Sequence, residues 1–583
     1  MHIRHHILGF LFLSSFFTAM VVSRTTLSAQ RMALVDDPIL VFRERIYVST
    51  DKPAYLSGES LWLSVFCFEA TTHSSSNLSS VAYLELQDQQ KSVIQIKAAL
   101  KEGRGSAMIL LPPSLPTGNY RLTAYTRYMQ NESPEVFFYK IISIYNTLSS
   151  ERVSEEEALQ PSDTGLVPDS STDILPIRIR PTSNNDAYRS HSAIPLVVSN
   201  QSKQSISYSV SVYGVDSLDH YHNPPIDEYL KTTDASGVFH HLFVADYEGE
   251  IIRGKIVNSA TGIPAYPGDE TKVYLSVVGP HLEVYNGKID ADGNLAFFTS
   301  SVYGDREVVT DIYPSQSQTF RIVLDDAFAS PEPVPLPGLV PNKLMETSLL
   351  RRSLGAQIEY RFQSHALHIP MIPVIRSISR KKIYKLDEYT RFPTMREVIT
   401  EFVSEARFRS TGGQTGLHIL LPDAMGQSLT QSPEKSLVLL DGIPIFDHEK
   451  ILEYNPLLID RLTLYDGVFR FGSVTFPGIA DFKSYTGRYP GITFGAHVRI
   501  HQFSGVQYPI SFSAPFYPTQ NHSVRPDWRH TLYWNPNILS QAGEEKIITC
   551  YSSDYTGDFI AVIEGVTADG QGFRKTCRFS VIP

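Results

Sequence analysis

The sequence predicts a mainly β, multidomain protein in which β-sandwiches follow one another along the chain and one small α+β domain is added to them. The 583 residues are enough for about four domains. Short runs rich in Val, Ile, Tyr and Thr alternate with turns rich in Pro and Gly, a pattern typical of strands. Between residues 345 and 406 the apolar residues take a helical spacing instead, which predicts the helical part.

Composition and charge exclude several classes of protein. Hydrophobic residues make up 42% of the chain and charged residues 19%, a globular balance that excludes a wholly disordered chain. The net charge of −10 leaves no large basic face for phosphates, so we expect no nucleic-acid partner. Three cysteines are too few for a disulfide-stapled scaffold.

Residues 1–29 have the pattern of a secretory signal peptide. Arg4 gives a weakly basic start, residues 7–22 form an apolar run, and residues 27–29 (Leu-Ser-Ala) offer a cleavage site. A membrane anchor is disfavoured because the apolar run is shorter than the roughly 20 residues of a spanning helix. No later segment is apolar and long enough to span a bilayer as a helix, so we expect an exported product without a transmembrane span in the mature chain.

Residues 40–146 predict a first β-sandwich, because strand-like runs recur about every 10–12 residues with turn signals between them. The run "TDKPAYLSGESLW" (50–62) combines a strand, a tight turn and a returning strand, and "LPTGNYRLTAYTRYM" (115–129) opens a further strand. The two motifs resemble the second macroglobulin-type domain of α2-macroglobulin-like envelope proteins. The resemblance implies an immunoglobulin- or macroglobulin-like sandwich.

The resemblance does not include the thioester that makes some macroglobulins reactive. That group needs a cysteine within a Gly-Cys-Gly-Glu-Gln-like loop, whereas Cys67 lies in an apolar strand. We therefore expect Cys67 to be a buried core cysteine.

Two further sandwiches are expected after a spacer. Residues 147–174 are rich in Ser, Glu, Asp and Pro and have no apolar period, which is typical of a linker. Residues 175–245 return to alternating strand patterns and predict a second macroglobulin-like sandwich. Residues 249–325 resemble the carboxypeptidase regulatory-like domain, a small prealbumin-like sandwich. Within them, Asp290–Asn294 imitates a calcium loop but lacks the glutamate at position twelve, so a glycine turn is expected.

Residues 340–384 predict a helical or extended connector. Apolar residues recur every fourth position there, which predicts a helix over 345–362 with a narrow apolar stripe. A second helix is predicted after Pro393 from wider helical spacing. The stripe of the first helix is Leu350, Leu354, Ile358 and Phe362, and that of the second is Met395, Val398, Ile399, Phe402, Val403 and Ala406.

Residues 385–490 predict the small α+β domain. A helix is followed by "LVLLDGIPI" (437–445) and by "IDRLTLYDGVFRFGSVTFPGIADFKSY" (459–485), in which strands alternate with Asp-Gly and Gly turns. This order resembles the plug domain of TonB-dependent outer-membrane receptors. A receptor needs several hundred further residues of barrel strands, whereas about 95 remain, so we expect a plug-like module without a pore.

Residues 495–583 predict a closing β domain, similar to the last immunoglobulin-like domain of the same envelope family. Cys550 and Cys577 both lie on its predicted strands. Two cysteines in one exported sandwich either pair as a disulfide or remain two buried thiols, and both alternatives stay open.

The sequence contains no motif that predicts catalysis, a cofactor or a metal site. It has no Gly-x-Ser-x-Gly, no His-Glu-x-x-His, no phosphate-binding loop and no Cys-x-x-Cys. Sandwiches in series seldom build a deep, water-excluding pocket. We therefore expect a protein that is not an enzyme, with no catalytic, cofactor-binding or metal-binding residues.

The domain order as a whole resembles envelope proteins of the Gram-negative, Bacteroidota type. That resemblance implies a scaffold or interaction module in the periplasm, at the outer membrane or at the cell surface. Its expected partner is an envelope protein, such as an outer-membrane barrel, bound through the plug-like module.

Two alternatives remain. The first is a carbohydrate- or peptide-binding accessory to nutrient uptake, in which Trp528, Tyr533 and Trp534 would stack on sugars; their spacing fits a core better than a single platform. The second is a hydrolase, because paired carboxylates cannot be recognised from spacing alone.

Overall fold

The computed structural model divides the chain into two compact units, Met1–Arg43 and Glu44–Pro583, and the elements below belong to the second. The described residues are 42–149, 176–182, 187–219, 221, 223–233, 237–279, 281–300, 302–314, 319–330, 332–362, 368–370, 381–411, 413–422, 428–517 and 526–583. The signal peptide predicted at 1–29, most of the predicted linker and part of the connector lie outside them. The predicted fold class, a mainly β protein built of several sandwiches, is confirmed.

The first sandwich uses eight strands from the segment predicted for it. They are β1 (Glu44–Thr50), β2 (Ala54–Leu56), β3 (Ser60–Glu69), β4 (Val81–Gln87), β5 (Ser92–Lys101), β6 (Arg104–Leu110), β7 (Gly118–Tyr125) and β8 (Phe138–Tyr145). The strand order is β1-β3-β6-β5-β4-β7-β8-β2. β5 follows β4 along most of its length and touches β6 only at their hairpin, so it joins two facing layers. Cys67 is buried in the core between them, as predicted.

A second sandwich begins after residue 176 but is not completed there. Its first strands are β9 (Ile177–Pro181), β10 (Ala187–Arg189), β11 (Ala193–Asn200) and β12 (Ile206–Gly214), and the short helix α1 (Ile226–Thr232) follows. β12 has no strand from this segment beside it: both of its partners come from residues 531–567. The chain leaves this sandwich after β12 and returns only for the last 53 residues.

The third sandwich is the first structure formed by the chain between β12 and the last four strands. Its strands are β13 (Ile251–Asn258), β14 (Lys272–Val277), β15 (Val284–Asn286), β16 (Lys288–Ile289), β17 (Asn294–Phe298), β18 (Asp305–Tyr313) and β19 (Phe320–Leu324). One sheet has the order β16-β17-β13-β19, and the other begins β15-β14-β18. The Asp290 carboxylate accepts hydrogen bonds from the Asp292 and Asn294 amides, and Gly293 has φ +80°, so the predicted glycine turn is confirmed.

The connector contains the predicted helix, α2 (Glu346–Phe362), and the short strand β20 (His368–Pro370). The apolar stripe is not the face that packs against the sandwiches: Leu350 is 64% exposed, and Arg352 and Gly355 are the buried residues of the helix. A Cβ at Gly355 would lie 3.0 Å from the Trp528 carbonyl oxygen, so glycine allows the helix to approach closely. The buried face is therefore determined by the charge of Arg352 and by the close approach at Gly355. A pattern of apolar residues does not reveal either of them.

The α+β module follows in the segment predicted for it. Its elements are β21 (Lys382–Lys385), α3 (Met395–Phe402), β22 (Ala406–Thr411), β23 (Gln414–Pro422), β24 (Leu429–Gln431), β25 (Leu437–Leu440), β26 (Ile443–Pro444), α4 (Glu449–Leu452), β27 (Ile459–Phe471) and β28 (Val474–Ser484). A mixed sheet has the order β21-β27-β28-β25-β26, and β22-β23-β24 form a smaller one. Thr394 and Glu397 form a capping box at the start of α3. Asp441 and Gly442, both at positive φ, make the predicted turn between β25 and β26.

The last strands return to the earlier sandwiches. They are β29 (Arg499–Ser504), β30 (Ile510–Phe512), β31 (Thr531–Ser540), β32 (Glu545–Tyr551), β33 (Gly557–Thr567) and β34 (Gly572–Ile582). β29 extends the third sandwich beside β18, and β30 pairs with β20. The other four complete the second sandwich, with sheets β10-β34-β33-β12-β31 and β32-β11-β9. The segments 175–245 and 495–583, which the sequence assigns to separate domains, therefore share one sandwich, because strand periodicity does not reveal a strand's partner.

Short 3₁₀ turns connect several of these elements. They lie at Tyr128–Asn131, Pro134–Val136, Lys343–Met345, Leu386–Glu388 and Pro456–Leu458. No helix among the described residues is long and apolar enough to cross a membrane.

A buried network of charges joins the first sandwich, the second sandwich and α2. The Arg352 guanidinium lies 2.6 Å from a Glu59 carboxylate oxygen and 3.4 Å from one of Asp216, and it donates to the Ala54 carbonyl. Lys52 lies 3.5 Å from the same oxygen of Glu59. Burial by itself would raise the pKa of Glu59, but Arg352 and Lys52 hold it at about 2.

The motif that resembles macroglobulin-type domains supplies the other half of this network. One carboxylate oxygen of Asp51 accepts hydrogen bonds from the Tyr55 hydroxyl and the Trp62 amide. Its second oxygen lies 3.2 Å from Lys52 and accepts from the Thr531 hydroxyl of the second sandwich. Asp51 therefore both shapes its own turn and binds the neighbouring sandwich.

Replacing Arg352 with methionine tests this network. The change keeps much of the apolar side chain but removes the guanidinium shared by Glu59 and Asp216, so that Lys52 alone remains beside Glu59. We expect a loss of about 3–5 kcal/mol, the usual cost of removing one partner of a buried ion pair. Urea denaturation followed by tryptophan fluorescence measures it, because Trp62 and Trp528 both lie at this junction.

The matched control is Arg361→Met, at the exposed end of the same helix. It should leave the denaturation midpoint unchanged, and adding Glu59→Gln and Asp216→Asn to Arg352→Met should recover part of the loss. Equal midpoints for Arg352→Met and Arg361→Met would contradict the stabilising role of the network.

Candidate binding cleft beside the α+β module

A cleft of about 770 Å³ lies where the third sandwich meets the tip of the β27–β28 hairpin. Its volume is within the range of small-ligand and peptide sites. Five aromatic rings line it: Tyr247, Tyr266, Tyr285, Phe298 and Phe471. The tip of the hairpin touches the sandwich, since the Ser473 hydroxyl donates to the Asn286 side-chain oxygen at 3.3 Å.

The floor of the cleft is formed by two strands at the ends of their sheets. β15 pairs with β14 and β16 pairs with β17, and each is the terminal strand in its sheet order. Gly287 joins the two strands, and a Cβ there would lie 2.7 Å from a Val273 methyl group. Glycine therefore lets the chain cross from one sheet to the other directly over the core.

The lining is positively charged although the protein as a whole is acidic. Lys272, Lys288 and Arg470 face one carboxylate, that of Asp269, so the formal charge of the lining is three cations against one anion. The Tyr266 hydroxyl donates to Asp269. Within the described part of the chain, none of the three cations forms an ion pair, and Lys288 lies 5.1 Å from the centre of the Phe298 ring.

The lining combines aromatic faces and cations with little negative charge. Its one carboxylate, that of Asp269, accepts the hydrogen bond from the Tyr266 hydroxyl. Aromatic faces and cations without an ion pair can stack on a ligand and attract negative charge.

The α+β module is packed firmly on the third sandwich beside the cleft. An apolar cluster of both parts lies between them, including Tyr274, Val284, Leu437, Leu439 and Ile479. The Lys483 ammonium donates to the Gly279 carbonyl at 2.8 Å. The hairpin that forms one wall of the cleft is therefore held in place by a packed interface.

A buried carboxylate lies at the same interface. Asp311 on β18 faces His497, but its nearest oxygen is 3.7 Å from the imidazole nitrogen, too far for a hydrogen bond. Burial raises the pKa of Asp311 to about 7, against smaller opposing effects of the Ile312 amide and Lys450. Burial also lowers the pKa of His497. The imidazole is therefore disposed to be neutral near pH 7, and the Asp311 carboxyl is protonated below that pH.

Asp311→Asn should stabilise the protein at high pH and leave it almost unchanged at low pH. The pKa of Asp311 is higher in the folded state than in the unfolded state. Its contribution to the free energy of unfolding therefore falls as the pH rises from about 4 to about 7. The variant should be more stable by about 2–4 kcal/mol at pH 8 and by little at pH 4. Urea denaturation at both pH values measures the difference.

The control is Asp305→Asn, at the exposed start of the same strand. It should change the free energy of unfolding by about the same amount at the two pH values. A gain from Asp311→Asn that is equal at pH 4 and pH 8 would contradict the titration of Asp311.

The predicted cysteine pair lies away from the cleft, in the second sandwich. Cys550 is on β32 and Cys577 on β34, which belong to its two facing sheets. Both contribute to one core cluster, and burial raises the pKa of the Cys550 thiol to about 12. Their pairing stays a prediction.

In the folded protein Cys550 should resist iodoacetamide, because its thiol is buried and stays protonated at pH 8. Cys67, whose pKa is also raised by burial, is the internal comparison and should resist equally. Alkylation in denaturant without reductant, followed by peptide mass mapping, then tests the pairing: modification of both Cys550 and Cys577 would contradict it.

The three aromatic residues considered as a sugar platform do not form one. Trp534 is buried with Trp62 and Met108 where the first and second sandwiches meet. Trp528 and Tyr533 are partly buried against the core of the second sandwich. The sequence-based preference for core positions is correct, and the aromatic surface lies elsewhere, in the cleft.

Comparisons with known proteins add limited information. No family model matches the chain, and no curated protein matches it. Among solved structures, α2-macroglobulin of Salmonella reacted with methylamine is 9% identical with a TM-score of 0.23, covering 92% of this chain and 39% of its own. Native Escherichia coli α2-macroglobulin is 8% identical with a TM-score of 0.23, and the match covers 92% of this chain and 40% of that protein. The Escherichia coli adhesin FdeC is 13% identical with a TM-score of 0.14, and the match covers 52% of this chain and 66% of that protein.

The chain thus spans about two fifths of the length of the α2-macroglobulins that it matches. Identities and TM-scores this low carry no argument about this chain, so its function has to be argued from its own residues.

The sequence analysis missed the cleft. Its lining comes from separate segments, residues 247–298 and 470–473, which meet only in the folded chain. The available signal was local: aromatic residues and lysines recur together in 266–288, and Arg470 and Phe471 lie directly before a glycine turn. The sequence pattern by itself predicts only strand and turn positions for these residues.

Proposed function

We propose that this chain is a non-enzymatic, exported envelope protein that acts as an interaction module and docks on an envelope partner through its α+β module and the adjoining cleft. Export rests on the signal-peptide pattern of residues 1–29. The Gram-negative setting and an outer-membrane partner rest on the resemblance of the motifs. Periplasm, outer membrane and cell surface are all compatible with it.

The observation that carries the proposal is the lining of the cleft. It combines five aromatic rings with three cations that have no ion pair among the described residues, and it holds only one carboxylate. This composition favours recognition over turnover. A carbohydrate- or peptide-binding accessory is the second candidate, and the same aromatic lining favours it over a hydrolase.

The frame around the module supports a docking role. The module and third sandwich are inserted between β12 and β31 of the second sandwich, which the charge network fixes to the first. Large apolar side chains remain exposed on the module, among them Leu457 (60%) and Val468 (68%). Exposed apolar residues on a fixed support suit a protein interface.

A photo-reactive phenylalanine analogue at Val468 or Leu457 should cross-link to one envelope protein in cells of the native host. The matched control is the same analogue at Leu110, which is 61% exposed on the first sandwich. It should give little cross-linked product. Mass spectrometry of the affinity-purified adducts identifies the product. Each analogue stands in an exposed position, so folding should be retained, which circular dichroism checks.

Enrichment of one envelope protein at the module sites supports docking. Equal, diffuse adducts from all three sites would contradict docking and favour a free binding protein. Release of product from a glycan or peptide library by the purified chain would contradict the non-enzymatic assignment.

A further inference from the structure

We propose that the cleft binds an extended, acidic segment of a partner protein, which adds as a strand along the outer edge of β15. This inference rests on the proposed interaction role and names the kind of partner that the cleft takes. It draws on three independent features: the charge of the lining, the free edge of β15 and the rings around it.

The positive charge of the lining favours a negatively charged ligand. Lys272, Lys288 and Arg470 have no ion pair with any described residue, and they stand on a chain whose net charge is −10. A local positive site on an acidic surface attracts carboxylates, while the rest of the surface repels them. An acidic segment is therefore drawn to the cleft in preference to other faces of the protein.

The backbone of β15 selects an extended peptide. The Val277 amide donates to the Glu283 carbonyl and the Gly287 amide donates to the Val273 carbonyl, so residues 283, 285 and 287 direct their backbone groups toward β14. Because these groups alternate in an antiparallel pair, those of Val284 and Asn286 point to the opposite side. Val284 is buried against the α+β module, whereas Asn286 is half-buried and lines the cleft, so the outward amide and carbonyl of Asn286 open into it.

The rings fit the side chains of such a strand. Residues of an added strand alternate between the two faces of the sheet, at a rise of about 3.3 Å per residue. Tyr285 and Phe298 lie on the sandwich side of the cleft and Phe471 on the hairpin side, so either face meets an aromatic surface. Peptides that bind by strand addition use this division, with backbone bonds for affinity and side-chain contacts for specificity.

An acidic oligosaccharide shares part of this chemistry. It offers carboxylates to the cations and ring faces to the aromatic residues, but it lacks an extended backbone whose amides could pair with the outward groups of Asn286. The free edge therefore favours a peptide, and the oligosaccharide becomes a comparison in the experiment.

Fluorescence anisotropy of the purified full chain tests the proposal with four labelled probes. The first is a peptide of about nine residues in which glutamate alternates with valine or tyrosine. The second has lysine in place of glutamate, the third is the first peptide with alternate amides N-methylated, and the fourth is an oligogalacturonate of similar charge. We expect binding of the first probe alone, weakened at high salt.

The matched variants are Lys288→Glu in the cleft and Lys255→Glu, an exposed position on β13 of the same sandwich outside the cleft. Lys288→Glu should weaken binding of the acidic peptide by about tenfold or more, and Lys255→Glu by less than about twofold, since a charge-assisted contact is worth roughly one decade in affinity. Arg470→Glu, on the opposite wall, should resemble Lys288→Glu.

The outcomes separate this inference from the docking proposal. Equal binding of the N-methylated peptide would overturn strand addition, and tighter binding of the oligogalacturonate would assign the cleft to sugars. No binding of any probe, combined with a specific cross-link from Val468, would overturn the acidic-peptide inference and leave docking supported. Equal losses from Lys288→Glu and Lys255→Glu would show attraction by overall charge alone and would also overturn the inference.

Discussion

The arrangement of the whole chain depends on one buried interaction, the pairing of Arg352 with Glu59 and Asp216. Each group comes from a different part: the connector helix, the first sandwich and the second. Taking three charges out of water costs several kcal/mol per ion, and good geometry has to offset that cost. Apolar residues of similar size could stabilise such a junction as well, whereas this pairing requires the three groups to meet in one geometry.

The position of the cleft follows from that fixed junction. Once α2 is held between two sandwiches, the chain between β12 and β31 forms an insertion whose two ends are set. The insertion is tied at further points: Lys97 of the first sandwich lies 2.7 Å from Glu250, and β29 returns to pair with β18. The third sandwich and the α+β module are thereby pressed together, and the cleft is the space left at the edge of their contact.

The sequence predicted the local features of the fold and missed the non-local ones. The glycine turn at Asp290–Asn294, the Asp441–Gly442 turn and the two helices depend on neighbouring residues, and they are present in the structure. The buried face of α2 was missed because its buried residues are an arginine and a glycine. The pairing of β12 with β31 and β33 was missed because about 300 residues separate the strands, and alternation indicates a strand without indicating its partner.

The cations of the cleft differ from the buried cations of the domain junctions. Arg352, Lys52 and Lys97 are buried and ion-paired, and the pairs of Arg352 and Lys97 join different parts of the molecule. Lys272, Lys288 and Arg470 are not ion-paired within the described chain, and they gather beside five rings on an acidic protein. Exposed cations contribute little to stability, and like charges placed together oppose it slightly. A gathering that the fold does not require is explained by a ligand, and the unpaired edge of β15 gives that ligand an extended backbone.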